Sequence, residues 1–189
     1  MSQLKVNSII PVGGVPTGGG GGIIQVKQTV KTSLFSTTTT GNTIDVTGVS
    51  VEITPTSTSS KMFVMCSGYY GNGNNDSFGH LRLANVIDGT ENMHMVRGDT
   101  NSNATRAAMS ASLRSGGGES SNIARHFSIH YLDSPNTTNA VTYKLMLLVT
   151  QGTPATIGGS SGNNDSNRGA YPTIITAMEV SAWLLPYII

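Results

Sequence analysis

Four histidines, a single cysteine and two copies of the tetrapeptide Asn-Asn-Asp-Ser are the places in this sequence where chemistry could reside. His126 and His130 stand four residues apart in "IARHFSIHYL". On a strand they share one face about 13 Å apart, too far to hold one metal within a chain. Symmetry copies of one histidine meeting on a threefold axis, or plain solvent- or interface-facing imidazoles, are the readings left. Cys66 lies in the apolar run "KMFVMCSGYY", where a buried structural thiol is expected rather than a nucleophile. The tetrapeptides, Asn74-Asn75-Asp76-Ser77 and Asn163-Asn164-Asp165-Ser166, are rich in oxygen. They lack the carboxylate density of a calcium loop, and turn chemistry accounts for them. No Ser-His-Asp pattern, Walker loop, zinc spacing or dinucleotide fingerprint occurs. The glycine run Gly18 to Gly22 has no Lys-Ser/Thr after it and opens no helix, so it cradles no phosphate. No catalytic residue, metal site or cofactor is expected, and the chain does not read as an enzyme. What remains is contact chemistry. Tyr69 and Tyr70 supply flat rings with polar tips; with Asn74, Asn75, Asp76, Asn163, Asn164 and Asp165 they form a candidate receptor-contact set, suited to a polysaccharide. Core packing is the alternative for the two tyrosines.

The elements that would carry these residues are strands. No stretch places apolar residues at helical spacing over three turns. "IIQVKQTVKT" alternates Ile24, Val26, Gln28 and Val30, a half-buried strand. "TIDVTGVSVEIT" alternates Ile44 and Val46, then resumes at Val49, Val51 and Ile53; the phase slips at Gly48, which predicts a bulge there. "KMFVMCSGYY" is apolar on both faces and reads as a central strand. "FGHLRLANVIDGT" ends in Asp88-Gly89, a hairpin pair, and "NMHMVRG" is the expected return strand. "IARHFSIHYL" aligns Ile123, Phe127, Ile129 and Tyr131; "VTYKLMLLV" aligns Val141, Tyr143, Leu145, Leu147 and Val149; "YPTIITAMEVSAW" closes the set. About nine short strands between Gly/Ser/Asn turns imply an all-β antiparallel sandwich or jelly roll over residues 23–189.

Composition narrows the partners. Of 189 residues only 11% are charged, the net charge is +1, and there is no Lys/Arg cluster along the sequence. That argues against nucleic acid and against an anionic membrane surface. The apolar runs are too short to span a bilayer, and no signal peptide is visible. One cysteine excludes an internal disulfide framework, so synthesis in a cytosol and stabilisation by packing are expected. Residues 1–22 differ in kind: "LKVNSII", Pro11, Gly13-Gly14, Pro16 and the pentaglycine form an arm and linker with too little apolar surface to fold alone. Such an arm can add a strand to another chain or lie in its groove; a free tail is the plain alternative. At the other end "SAWLLPYII" would expose a large apolar patch on a monomer. Trp183, Leu184, Leu185, Tyr187, Ile188 and Ile189 are therefore the expected subunit interface, unless they form a last strand in their own core.

With arm, linker and sandwich in view, the chain resembles virion proteins of tailed phages, especially those of marine bacteria and cyanobacteria. The resemblance rests on the opening peptide Leu4-Lys5-Val6-Asn7-Ser8-Ile9-Ile10-Pro11, of the form LKVNxIxP, and its glycine-rich link. It continues through "VTGVSVEITPTSTSSKMFVM", "YLDSPNTTNAVTYKL" and "TIITAMEVSA". It implies a fibre, spike or decoration protein. It further implies a homotrimeric jelly roll of the tumour-necrosis-factor type, located in the virion after assembly in the host cytoplasm. Leu4, Lys5, Val6, Asn7, Ile9, Ile10 and Pro11 would anchor it to other virion proteins, and a host surface glycan would be its outward partner. The chain departs from the pattern in lacking a long fibre shaft and in its apolar tail. A tail fibre, a capsid decoration or head-fibre protein, and a glycan depolymerase are the competing functions. The last would want paired carboxylates in a groove, and the ten acidic residues are scattered, mostly in turns.

Overall fold

Val, Ile and Thr recur at alternate positions through most of the chain, and β-branched residues pack well on a pleated surface. The computed structural model describes residues 22–72, 76–99, 105–114, 124–151, 154–160 and 169–181. Among them there is no helix. The strands are β1 (Ile23–Lys31), β2 (Phe35–Thr37), β3 (Thr43–Ile53), β4 (Lys61–Asn72), β5 (Asp76–Ile87) and β6 (Thr90–Asn92). They are followed by β7 (Met109–Arg114), β8 (Ala124–Asp133), β9 (Val141–Gln151), β10 (Ala155–Ile157) and β11 (Thr173–Val180).

Two antiparallel sheets result. In the first, β1 pairs with β11, β11 with β4, and β4 with β8; the short β2 and β10 prolong the β1 and β11 positions. In the second, β3 pairs with β9 and β9 with β5, while β6 and β7 share the far side of β5. Successive long strands mostly cross between the sheets, from β3 to β4 to β5, and from β7 to β8 to β9 to β11. This is the jelly-roll path. It removes the connection problem of a parallel sheet and leaves one core between two inner faces.

That core is filled as the alternation predicts. Val141, Tyr143, Leu145, Leu147 and Val149 of β9 are fully buried against Met62, Val64 and Cys66 of β4 and Phe127 of β8. The phase slip in β3 is a bulge: pairing with β9 shifts between Asp45 and Ser50, Gly48 adopts φ +84°, and Val46, Val49, Val51 and Ile53 all reach the core. Asp88 and Gly89 both take positive φ in the tight β5–β6 hairpin. Burial pushes the Cys66 thiol up to about 12, which makes it inert at neutral pH. A carboxylate ties the sheets together at one end: Asp133 of β8 accepts hydrogen bonds from Tyr143 Oη (2.9 Å) and Asn85 Nδ2 (3.0 Å) of the second sheet.

Three expectations change. "NMHMVRG" is not a return strand: β6 stops at Asn92, and turns occupy 93–96. Tyr70 is not a surface ring but sits in the core with no exposure, over Gly79, whose missing side chain makes room for it. The apolar stripe of β1 does not face the core. Val26 and Val30 point outward, and Gln25, on the opposite face, reaches inward to Glu179.

Candidate functional surfaces

The outward stripe of β1 belongs to a larger pattern on the first sheet. Strand register aligns Val26, Met178, Phe63 and Leu132 in one row across β1, β11, β4 and β8. Beside it Val30 and Ile174 are paired, and Met65 lies opposite His130. Six large apolar side chains are exposed among the described residues, and five of them, Ile23, Val26, Val30, Met65 and Leu132, lie on this face. Val26 and Leu132 are each 53% exposed. Alternation with period two is what places them there, because β4 and β11 carry apolar residues on both faces. The outer face of the second sheet is different. There Lys144 pairs with Asp45 (2.9 Å) and with Glu91. Burial alone would lower the Lys144 ammonium, but Glu91 and then Asp45 hold it above its ordinary value. A shallow groove of about 390 Å³ runs beside this ion group, lined by the β3 bulge, Val86 and Thr142. One outer face is therefore charged and wet, and the other carries the apolar row Val26–Met178–Phe63–Leu132 beside the more polar row Gln28–Thr176–Met65–His130.

The register of the apolar face is fixed by a buried carboxylate. Glu179 of β11 has no exposure, and its oxygens accept hydrogen bonds from Gln25 Nε2 (2.6 Å), Thr56 N (2.7 Å) and Thr56 Oγ1 (2.6 Å). Gln25 Nε2 also donates to Thr54 O (2.6 Å). Burial alone would raise this carboxyl, but the polar groups of Ser60, Thr56 and Gln25 more than offset it and hold it below its ordinary value. A one-residue slip of β1 would break this cluster and turn Val26 and Val30 inward.

Gly22 and Ser181, the first and last described residues, meet beside this face. Gly22 and Ser181 are joined by two hydrogen bonds, Ser181 N to Gly22 O (3.1 Å) and Gly22 N to Ser181 Oγ (3.0 Å). They lie at the Lys61 end of β4, through the pairs Ile23–Val180 and Val180–Lys61. The opposite end of β4 is about 35 Å away at strand rise. There Asn72 pairs with Ala155, and the Gly159–Ala170 bridge closes over Gly71. Asn72 and Ser160, which border the segments outside the described residues, lie at this far end.

An aromatic cluster stands at the same far end. The Tyr69 ring stacks on Tyr171 at 4.1 Å between centroids and meets the edge of His126 at 5.3 Å. Gly158 holds the pair in place: its N donates to Tyr69 O (2.8 Å), its O accepts from Tyr171 N (2.8 Å), and its φ is +97°. Of the receptor-contact candidates, Tyr69 is thus half-buried in an outward cluster and Tyr70 is in the core. Asp76 begins β5, while Asn74, Asn75, Asn163, Asn164 and Asp165 lie outside the described residues. Leu4, Lys5, Val6, Asn7, Ile9, Ile10, Pro11 and Trp183, Leu184, Leu185, Tyr187, Ile188, Ile189 also lie outside them. His126 and His130 are exposed on the same face of β8, and no group of three metal-ligating side chains occurs among the described residues. Tyr171 and the row Val26–Met178–Phe63–Leu132 went unnoticed in the sequence; the double-sided apolar pattern of "KMFVM" was the available signal.

No family model and no curated protein matches the chain. Among solved structures, it is similar to a chain in the structure of infectious bursal disease virus Gx strain. The TM-score is 0.40 and the identity 11%, over 84% of this chain and 40% of that one.

Proposed function

We propose that the chain is a structural virion protein of a tailed phage, a fibre or spike subunit that is anchored at one end and presents the other. The observation that carries this reading is polarity. Gly22 and Ser181 meet at one end of the sandwich, while the Tyr69–Tyr171–His126 cluster lies at the opposite end, together with Asn72 and Ser160, which border the tetrapeptide segments. An arm that docks on a neighbouring virion protein would hold the far end outward, where stacked rings and amide-rich loops suit a glycan.

The apolar outer face of the first sheet is the surface by which three copies pack. Exposed large apolar residues aligned in one row, rather than scattered singly, mark a contact surface. The occupant is a second copy of this chain because the apolar residues Trp183 to Ile189 follow directly from β11, the strand at the middle of that face. Burial of the apolar row contributes about 25 cal/mol per Å². Deletion of residues 1–22 tests the anchoring half. It should leave a folded protein of unchanged melting temperature that no longer incorporates into particles; normal incorporation contradicts the reading. The position of the subunit in a reconstruction of the intact particle separates a tail fibre from a capsid decoration protein, which would use the same arm on the shell.

A further inference from the structure

The charged outer face of the second sheet holds a feature that assembly and anchoring do not use. Leu81 and Leu83 of β5 enter the core, so Arg82 between them points outward. Across it lie the described segments between β6 and β7, joined to each other by Gly98 N to Ala107 O (3.4 Å) and to β5 by Ala108 N to Leu81 O (3.0 Å). They carry His94, Arg97 and Arg106 within electrostatic reach of Arg82, whose Nη1 contacts Met93 Sδ beside His94 (3.9 Å). Three of the six arginines of the chain thus lie on neighbouring segments, in a sequence whose linear order shows no basic cluster. Met95 in the core pins this turn, and Arg106 Nε donates to Gly98 O (2.8 Å), which fixes the second arginine's stem.

The cluster is not neutralised. Among the described residues the ion pairs are those of Lys144, which engage Asp45 and Glu91. The stretch from Met93 to Met109 contains one carboxylate, Asp99, and it is exposed. Arg82 Nη1 finds only neutral partners, Thr43 Oγ1 (2.7 Å) and Met93 Sδ (3.9 Å). Arg82 Nε and His94 Nδ1 are buried with no hydrogen-bond partner. The mutual repulsion is felt by the groups themselves. Burial, then Arg97, Arg82 and Arg106, hold the His94 imidazole below its ordinary value, and burial, then Arg97, lower Arg82. Such an arrangement of guanidinium groups is costly without a counter-charge and is the donor set that recognises phosphate and sulfate oxygens.

We propose that Arg82, His94, Arg97 and Arg106 form a binding site for a tetrahedral oxyanion, the phosphate or sulfate ester of an anionic glycan. The site lies on the flank of the sandwich, apart from both the apolar face and the aromatic end. It would add an electrostatic contact on the charged face of the sandwich, and its contribution would fall with salt.

The four histidines allow a site-resolved test on the full chain. His94 lies in the site and His80 near it, whereas His126 and His130 lie on the other sheet. Their ring resonances are followed by NMR while sodium sulfate replaces sodium chloride at constant ionic strength. The expected result is a saturating shift at His94 with His126 and His130 unmoved, and at least a tenfold loss of affinity in an Arg97→Ala/Arg106→Ala variant. Uniform shifts at all four histidines, no shift at His94, or unchanged affinity in the variant would overturn the proposal. If the double variant does not fold, Arg97→Gln at an exposed position replaces it, with the same two outcomes. Dextran sulfate should bind where neutral dextran does not. Competition of inorganic phosphate and inorganic sulfate against it names the ester, by whichever displaces at the lower concentration; displacement by neither overturns the site.

Discussion

Glu179 is a carboxylate with no exposure that is nevertheless held below its ordinary value, so it stays charged in the folded chain at neutral pH. The linkage follows from that direction. A carboxyl depressed in the folded state adds stability above its unfolded value, near 4.5, and loses it as pH falls through the folded value. Glu179→Gln should therefore cost about 2 kcal/mol at neutral pH, because charge-assisted hydrogen bonds to Gln25 and Thr56 are lost. It should also flatten the acid limb of the stability curve. Chemical denaturation at pH 7 and below pH 4 measures both; a variant with unchanged acid sensitivity would remove Glu179 from the account. Two glycines carry separate burdens. A side chain at Gly79 would overlap the Tyr70 ring, so Gly79→Ala should destabilise by about 1–3 kcal/mol through overpacking. Gly158→Ala meets a positive φ and the Tyr171 carbonyl oxygen at 3.2 Å. Its effect should appear in the fluorescence and NMR shifts of the Tyr69–Tyr171 pair more than in global stability.

At the scale of elements, the informative strand is β1. Its alternation was plain in "IIQVKQTVK", and its strand character and limits were legible, as was the bulge at Gly48, because period two and a phase slip are local properties. Which way the stripe faced was not legible. That is decided by pairing with β11, 146 residues further along where Thr29 meets Ile175, one of eight aligned pairs, and by the Gln25–Glu179 contact. The same limit hid the arginine cluster and the stacking of Tyr69 on Tyr171, each assembled from segments distant in sequence. Tyr69 and Tyr70 could not be told apart by residue type; only strand parity sends one ring out and the other into the core. The outward stripe gives a test. Val26→Asp and Leu132→Asp alter positions that are exposed in the single chain, so each should leave stability within about 0.5 kcal/mol. In an apolar interface each would bury an unpaired charge, so self-association should be lost. Association that survives both substitutions would move the interface off this face.

For the whole molecule the account describes a sandwich with two unlike outer faces and two unlike ends. The charged face has its ions paired around Lys144 or gathered around Arg82, while the apolar face has none across its central row. An interface built on that row should be insensitive to salt. It should persist near 1 M sodium chloride, where the Debye length is about 3 Å. Removal of residues 183–189 should weaken it without unfolding the chain, because β11 ends at Val180, before residue 183. The most direct test is the mass of the full-length protein in solution, measured by sedimentation at micromolar concentration in low and in high salt. The account predicts three times the mass of one chain in both, falling to the mass of one chain for Val26→Asp. A stable wild-type monomer would contradict it.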